Sequence, residues 1–218
     1  MDTATPVRRK APRPRADALR NRERIVIAAR ELFVEYGGDA PLDEIARRAG
    51  VGNATVYRNF PDRDSLVREV VCSVIDRTAR AAEEALAECE DPFSVLERIA
   101  HTAADERISA LCPMMTSSFD RSHPDLEAAR MRFEALVDEA LDRAKAAGQV
   151  RPDVGVGDLM LAVAQLSRPP AGTVCVGVDP FVHRHLQLFL DGMRAPARSA
   201  LPGAAVTMED LRRSTAQR

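Results

Sequence analysis

The chain of 218 residues has no tryptophan, only two tyrosines and seven phenylalanines, so its core must rest mainly on aliphatic side chains and alanine. Its four cysteines, Cys72, Cys89, Cys112 and Cys175, stand far apart. None forms a Cys-x-x-Cys pair or lies near a histidine at zinc-finger spacing, which argues against structural zinc and for reduced, mostly buried thiols. No uninterrupted apolar run approaches the ~18 residues that a membrane span needs. The N-terminus is basic but no apolar stretch follows it, so it does not read as a secretory signal and the expected location is cytoplasmic. A convincing strand hairpin and an internal repeat are also missing. Val174, Val176 and Val178 alternate, but between glycines and over so short a stretch they read as loop. There is no nucleophile elbow, no phosphate loop and no His-Glu metal motif, and no spacing singles out a serine, histidine or carboxylate for catalysis.

What is present is an ordinary globular composition, 45% apolar and 29% charged, with net charge −2. That small charge hides an asymmetry. Residues 1–30 hold nine basic and three acidic side chains, so one end of an otherwise acidic chain suits a polyanion. Residues 1–16 mix Pro6, Pro12 and Pro14 with five basic residues and read as a disordered arm.

From about Asp17 the apolar spacing becomes helical. Ile25, Ala28, Ala29, Leu32, Phe33 and Tyr36 fall on one face, and Gly37-Gly38 closes the helix. A short helix near Leu42 to Ala49 follows, Gly50 supplies a turn, and a third helix runs near Asn53 to Asn59 into Phe60-Pro61. Asp62 is the expected N-cap of a long fourth helix whose first breaker is Asp91-Pro92. Further helices are expected with a cap at Asp91 or Ser94, over about Asp125 to Ala147, about Val156 to Ser167 and about Asp179 to Met193, with a short one near Thr207 to Arg213. The fold class is therefore all-α.

The third helix is unusually polar. Asn53, Thr55, Tyr57, Arg58 and Asn59 crowd into seven positions, with Val56 alone facing inward. Two short helices joined by a tight glycine turn and braced by another describe a helix-turn-helix, whose second helix offers its outer face to the major groove. Asn, Thr, Tyr and Arg side chains can bond base edges and phosphates, and Ala54 permits close approach to a thymine methyl.

The stretch RERIVIAARELFVEYGGDAPLDEIARRAGVGNATVYRNFPDRDSLVREVV resembles the N-terminal domain of TetR-family transcriptional regulators. The marks are Ala-Arg-Glu-Leu-Phe, then Leu-Asp-Glu-Ile-Ala-Arg-Arg-Ala-Gly-Val, then Ala-Thr-Val-Tyr-Arg-Asn-Phe and Asp-Arg-Asp-Ser-Leu, covering about residues 20–71. The resemblance implies a helix-turn-helix at about 40–59 within a DNA-binding domain at 17–71, a larger helical ligand-binding and dimerisation domain at 72–195, and a flexible tail at 196–218. It implies base reading by Asn53, Ala54 and Thr55, a phosphate contact by Tyr57, backbone or base contacts by Arg58 and Asn59, and a phosphate contact by Arg63 at a helix N-terminus. Two positions depart from the family pattern. Gly52 replaces the usual serine or threonine before the recognition helix, and Pro41 replaces a capping threonine.

A single helix-turn-helix buries little surface, so a homodimer on a two-fold operator of double-stranded DNA is expected. The uncharged segment Leu159 to Ser167 and the broad apolar band of the last long helix are the expected interface, through Leu159, Val163, Leu166, Val182, Leu186, Phe189 and Met193. A small, largely apolar effector is expected near His101, Cys112, Met115, Phe119, Met131 and Phe133, since methionine and aromatic side chains suit an adaptable pocket. No cofactor and no metal ligand set is indicated; His183 and His185, two apart on a helix, point to different faces. The expected function is a ligand-responsive, dimeric transcriptional regulator, a repressor released from its operator by a small molecule. An enzyme, or a helical interaction module with a vestigial head, remains open as an alternative at this level.

Overall fold

A computed structural model describes residues 14–36, 40–106, 120, 122–167 and 179–216. All its regular elements there are helices: α1 Pro14–Tyr36, α2 Leu42–Ala49, α3 Asn53–Asn59, α4 Arg63–Glu88, α5 Pro92–Asp105, α6 Pro124–Ala146, α7 Val156–Leu166, α8 Asp179–Met193 and α9 Met208–Ala216. None is long and apolar enough to cross a membrane. The basic arm, apart from its last three residues in α1, lies outside the described residues, as do Gly37-Gly38 and Val174 to Val178.

The helix starts follow local chemistry. Asp62 accepts a hydrogen bond from the Ser65 N–H at 2.7 Å, and Asp91 accepts one from the Ser94 N–H at 2.9 Å, so α4 and α5 open on carboxylate caps. His123 caps α6 through Nδ1, which accepts from the Asp125 N–H at 3.3 Å. At α2 and α3 no side chain caps the helix, because Pro41 and Gly52 hold those positions. The Pro41 carbonyl instead accepts from the Glu44 and Ile45 N–H groups, both at 3.1 Å.

Gly50 makes the turn. Its φ of 63° is left-handed, and the N–H groups of Gly50 and Val51 return to the carbonyls of Arg47 and Ala46. Arg24 on α1 reaches across to donate to the Gly50 carbonyl at 3.1 Å, and a Cβ on Gly50 would collide with that guanidinium. Gly50→Ala is therefore expected to lower the stability of this region by about 1–2 kcal/mol, the cost of a left-handed non-glycine residue. A shift in the chemical-denaturation midpoint checks it.

α1, α2 and α3 form a small head closed by the first turns of α4, with Ile25, Ala29, Leu32, Phe33, Ile45, Ala46, Val56, Phe60 and Leu66 in its core. α4 then continues out of the head and packs chiefly on α5 and α6, while α7 and α8 pack on α5 and on each other. Phe93, Leu96, Ile99, Leu126, Val137, Leu159, Leu186 and Leu190 fill this second core.

The stretch from residue 196, expected to be a flexible tail, is held to the body as far as α9. Arg151, only 5% exposed, pairs with Asp153 and donates to the Ser199 carbonyl at 2.6 Å. The Gly157 N–H donates to the Val206 carbonyl at 2.9 Å, so closely that any Cβ on Gly157 would strike that oxygen. Arg212 on α9 pairs with Glu134 on α6 at 2.9 Å. Backbone bonds of this kind leave no apolar periodicity, which is why composition alone suggested a loose end.

Candidate nucleic-acid interface

Helix α3 is anchored from behind. Val56 and Phe60 are 1% and 2% exposed, and both point into the head. Arg22 on α1 locks the far end of α3: it donates to the Asn59 carbonyl at 3.0 Å and to Glu69 on α4 at 2.7 Å, and its guanidinium lies 4.4 Å from the centre of the Phe60 ring. Arg48 on α2 pairs with Glu35 on α1 at 2.5 Å. With its back so fixed, α3 presents a constant outer face.

That face carries Asn53, Ala54, Tyr57 and Arg58, all exposed, with Tyr57 at 54%. Thr55 and Asn59 are half-buried. Arg58 lies back along its own helix, donating to the Ala54 carbonyl at 3.0 Å and to Thr55 Oγ1 at 3.2 Å. Asn59 donates to the Thr55 carbonyl at 2.8 Å. Its own carbonyl is taken by Arg22. Arg63 is half-buried and donates to the Ala40 carbonyl at 2.8 Å, joining the start of α4 to the entry of α2. Asn53 donates to Asp43 on α2 at 2.7 Å. Beside this face the Arg47 guanidinium hydrogen-bonds Glu44 and holds that carboxyl below its ordinary range. Sequence periodicity missed Arg22, Arg24 and Asp43, since their contacts span 37, 26 and 10 residues and involve polar atoms.

The head is tied to the rest by more than α4. Glu106, at the end of α5, accepts from Arg30 on α1 at 2.8 Å and from Arg77 on α4 at 2.7 Å. Its side chain is 12% exposed. One carboxylate thus clasps a helix of the head and the helix that leaves it.

The residues expected around an effector are not brought together among the described residues. Cys112, Met115 and Phe119 lie outside them. Phe133 is 6% exposed in the core, whereas Met131 is 54% exposed on the outer side of α6. Two residues apart on a helix, the pair cannot share a face, so Met131 is corrected to a surface residue. His101 joins α5 to α8. Its Nδ1 lies 2.8 Å from His183 Nδ1 on α8 and its Nε2 lies 3.1 Å from Gln187 Oε1, while His183 Nε2 meets Asp105 at 2.9 Å. The Cys72 thiol is pushed up to about 11 by burial, with Asp76 adding to the shift, which keeps it a protonated, unreactive group at neutral pH.

The expected interface also divides. Leu159, Val163, Leu186 and Met193 are 0–2% exposed within one chain and belong to its own core. Leu166, Val182 and Phe189 are half-buried. The apolar groups left outside on the same helices are Leu161, Phe181 and Leu188, at 41%, 61% and 59%. Both α7 and α8 are apolar on two faces, and the expected set mixes residues of the inward face with half-buried ones.

Comparison with known proteins agrees with this geometry. Residues 25–70 match the family model of bacterial regulatory proteins of the TetR family, and residues 93–195 match a C-terminal domain described as transcriptional regulator SbtR-like. The chain is similar to the HTH-type transcriptional regulator SrpR of Pseudomonas putida, 44% identical over 59 residues, or 27% of this chain and 28% of SrpR. Such matches to curated relatives span a third of their length or less to under a half. Solved structures extend the likeness. A TetR transcriptional regulator from Streptomyces coelicolor is 30% identical with a TM-score of 0.63, covering 81% of this chain and 99% of that one. A TetR transcription regulatory protein from Mycobacterium vanbaalenii is 32% identical with a TM-score of 0.61, covering 83% and 99%. The likeness runs over nearly the whole of those chains, and the protein belongs to the TetR family of helix-turn-helix transcriptional regulators.

Proposed function

We propose that the protein is a cytoplasmic, dimeric repressor that holds a two-fold operator and releases it when a small molecule binds the body at 72–195. The outer face of α3 carries this reading: exposed Tyr57, Ala54 and Arg58 stand on a helix whose back is fixed by Val56, Phe60 and Arg22. A rigid, polar, outward helix has no use inside the fold and fits a major groove. Asn53, Ala54 and Thr55 read base edges, Tyr57 and Arg63 hold phosphates, and Arg58 swings from its own helix to the duplex. Asn59 sets the end of the helix and contributes a contact only at the rim. Arg8, Arg9, Lys10, Arg13 and Arg15 add phosphate contacts, each raising the salt slope by about 0.9.

Dimerisation uses the outer apolar groups of α7 and α8. Release works through α4 and the clasp at Glu106, because a shift of α5 or α4 on effector binding changes the spacing of the two heads. Coupling of ~1–3 kcal/mol gives a roughly 5–150-fold change in operator affinity, and it must act equally in both directions. An effector that binds without altering operator affinity at fixed salt contradicts the mechanism.

The test starts with genomic fragments selected by the protein and footprinted at two salt concentrations. Tyr57→Phe removes only the phosphate-bonding hydroxyl. It is expected to weaken binding about tenfold and by the same factor on every operator variant, since phosphate contacts carry no base information. Unchanged affinity for Tyr57→Phe would remove Tyr57 from the interface.

A further inference from the structure

Asp43 and Asn53 stand at the starts of consecutive helices, α2 and α3, and their side chains meet. Asn53 Nδ2 donates to Asp43 Oδ1 at 2.7 Å. A carboxylate only accepts, so the nitrogen of the amide must face Asp43 and its oxygen must face away. Asn53 is exposed and lies on the outer side of the first turn of α3, so that oxygen is offered to whatever α3 meets. The first turn of α2 also favours a negative side chain, so a carboxylate is well placed there.

We propose that Asp43 is a positioning residue for base recognition: it fixes the Asn53 amide with its oxygen toward the DNA, so that each half-site is read at one position for a base bearing an exocyclic amino group. The proposal rests on α3 being the groove-facing helix. In the major groove adenine N6 and cytosine N4 are the amino groups, whereas guanine O6 and thymine O4 are acceptors that an outward oxygen repels. Adenine is preferred over cytosine, because the second Nδ2 hydrogen remains available for adenine N7. Freed from Asp43, the amide can turn and present its N–H groups to guanine or thymine.

The experiment uses the full chain and a labelled duplex carrying the selected operator, with each half-site base pair exchanged symmetrically, and reads affinity by fluorescence anisotropy at fixed salt. At one pair the unaltered protein is expected to favour adenine over guanine or thymine by roughly tenfold. Asp43→Ala shrinks that preference to within about twofold and leaves preferences at other pairs as they were. Asn53→Ala abolishes it, and the double variant is no less selective than Asn53→Ala alone. Asp43→Asn keeps the shape of the side chain but can donate as well as accept, so it no longer fixes the Asn53 amide and relaxes the preference without the general loss of affinity that unfolding would bring. If Asn53→Ala erases the preference while Asp43→Ala keeps it, Asp43 does not position the amide and the proposal falls. If neither variant changes any preference, Asn53 is not the reader and the proposal falls with it. If the unaltered protein binds no duplex above random sequence, the DNA-recognition reading itself fails.

Discussion

Phe60→Ala is expected to destabilise the head by about 3–5 kcal/mol and to take operator binding with it. Phe60 is 2% exposed where α3 turns into α4, and its ring lies under the Arg22 guanidinium. Removing the ring leaves a cavity between α1, α3 and α4. It also strips Arg22 of its aromatic contact, worth ~0.5–1 kcal/mol in partly exposed settings. Arg22 then loses the support that aims it at the Asn59 carbonyl, and the end of the recognition helix frays. Denaturant unfolding followed by far-ultraviolet circular dichroism checks the stability, since the chain has no tryptophan to report it. Phe60→Leu, which keeps most of the volume, should cost under ~1.5 kcal/mol and retain binding. An alanine variant as stable as the parent would show that α3 is anchored elsewhere.

Leu188→Glu should give the other large effect. Leu188 is 59% exposed on α8, so within one chain its replacement costs little, within ~0.5 kcal/mol as for other surface positions. In a dimer joined through α7 and α8, the same change buries a carboxylate in an apolar contact and drives the chains apart. A monomer carries one head, and loss of the second loses the gain from simultaneous binding, commonly 10²–10⁴-fold. Sedimentation at micromolar protein should report a monomer with unaltered circular dichroism, and operator affinity should fall at least about a hundredfold. A Leu188→Glu protein that remains a dimer would move the interface to another face.

Leu188 is also where sequence and structure part in an instructive way. The apolar bands of α7 and α8 were plain in the sequence, but both helices are apolar on two sides. Spacing alone could not say which side meets α5 and which is left outside. Of the seven residues expected at the interface, Leu159, Val163, Leu186 and Met193 are buried within the chain, and Leu166, Val182 and Phe189 are half-buried. Where a helix has one apolar face the spacing holds: the inner faces of α2 and α4, that of α1 from Ile25 to Phe33, the glycine turn and the caps at Asp62 and Asp91 lie where the pattern puts them, whereas Tyr36, in the last turn of α1, is 62% exposed and off the buried face. Met131 could have been excluded from spacing as well, since Phe133 and Val137 already defined the buried stripe of α6. The Arg22 brace, the Glu106 clasp and the Asp43–Asn53 pair could not have been read. Each joins polar atoms from separate helices, and such contacts leave no periodic trace.

The most direct measurement is the number of chains bound per operator and the symmetry of the protected site. A footprint with two-fold symmetry, half-sites about one helical turn or a multiple apart, and an even number of chains per duplex is the expected result. A single chain on an asymmetric site, or no protection at either salt concentration, would contradict dimeric operator recognition through α3.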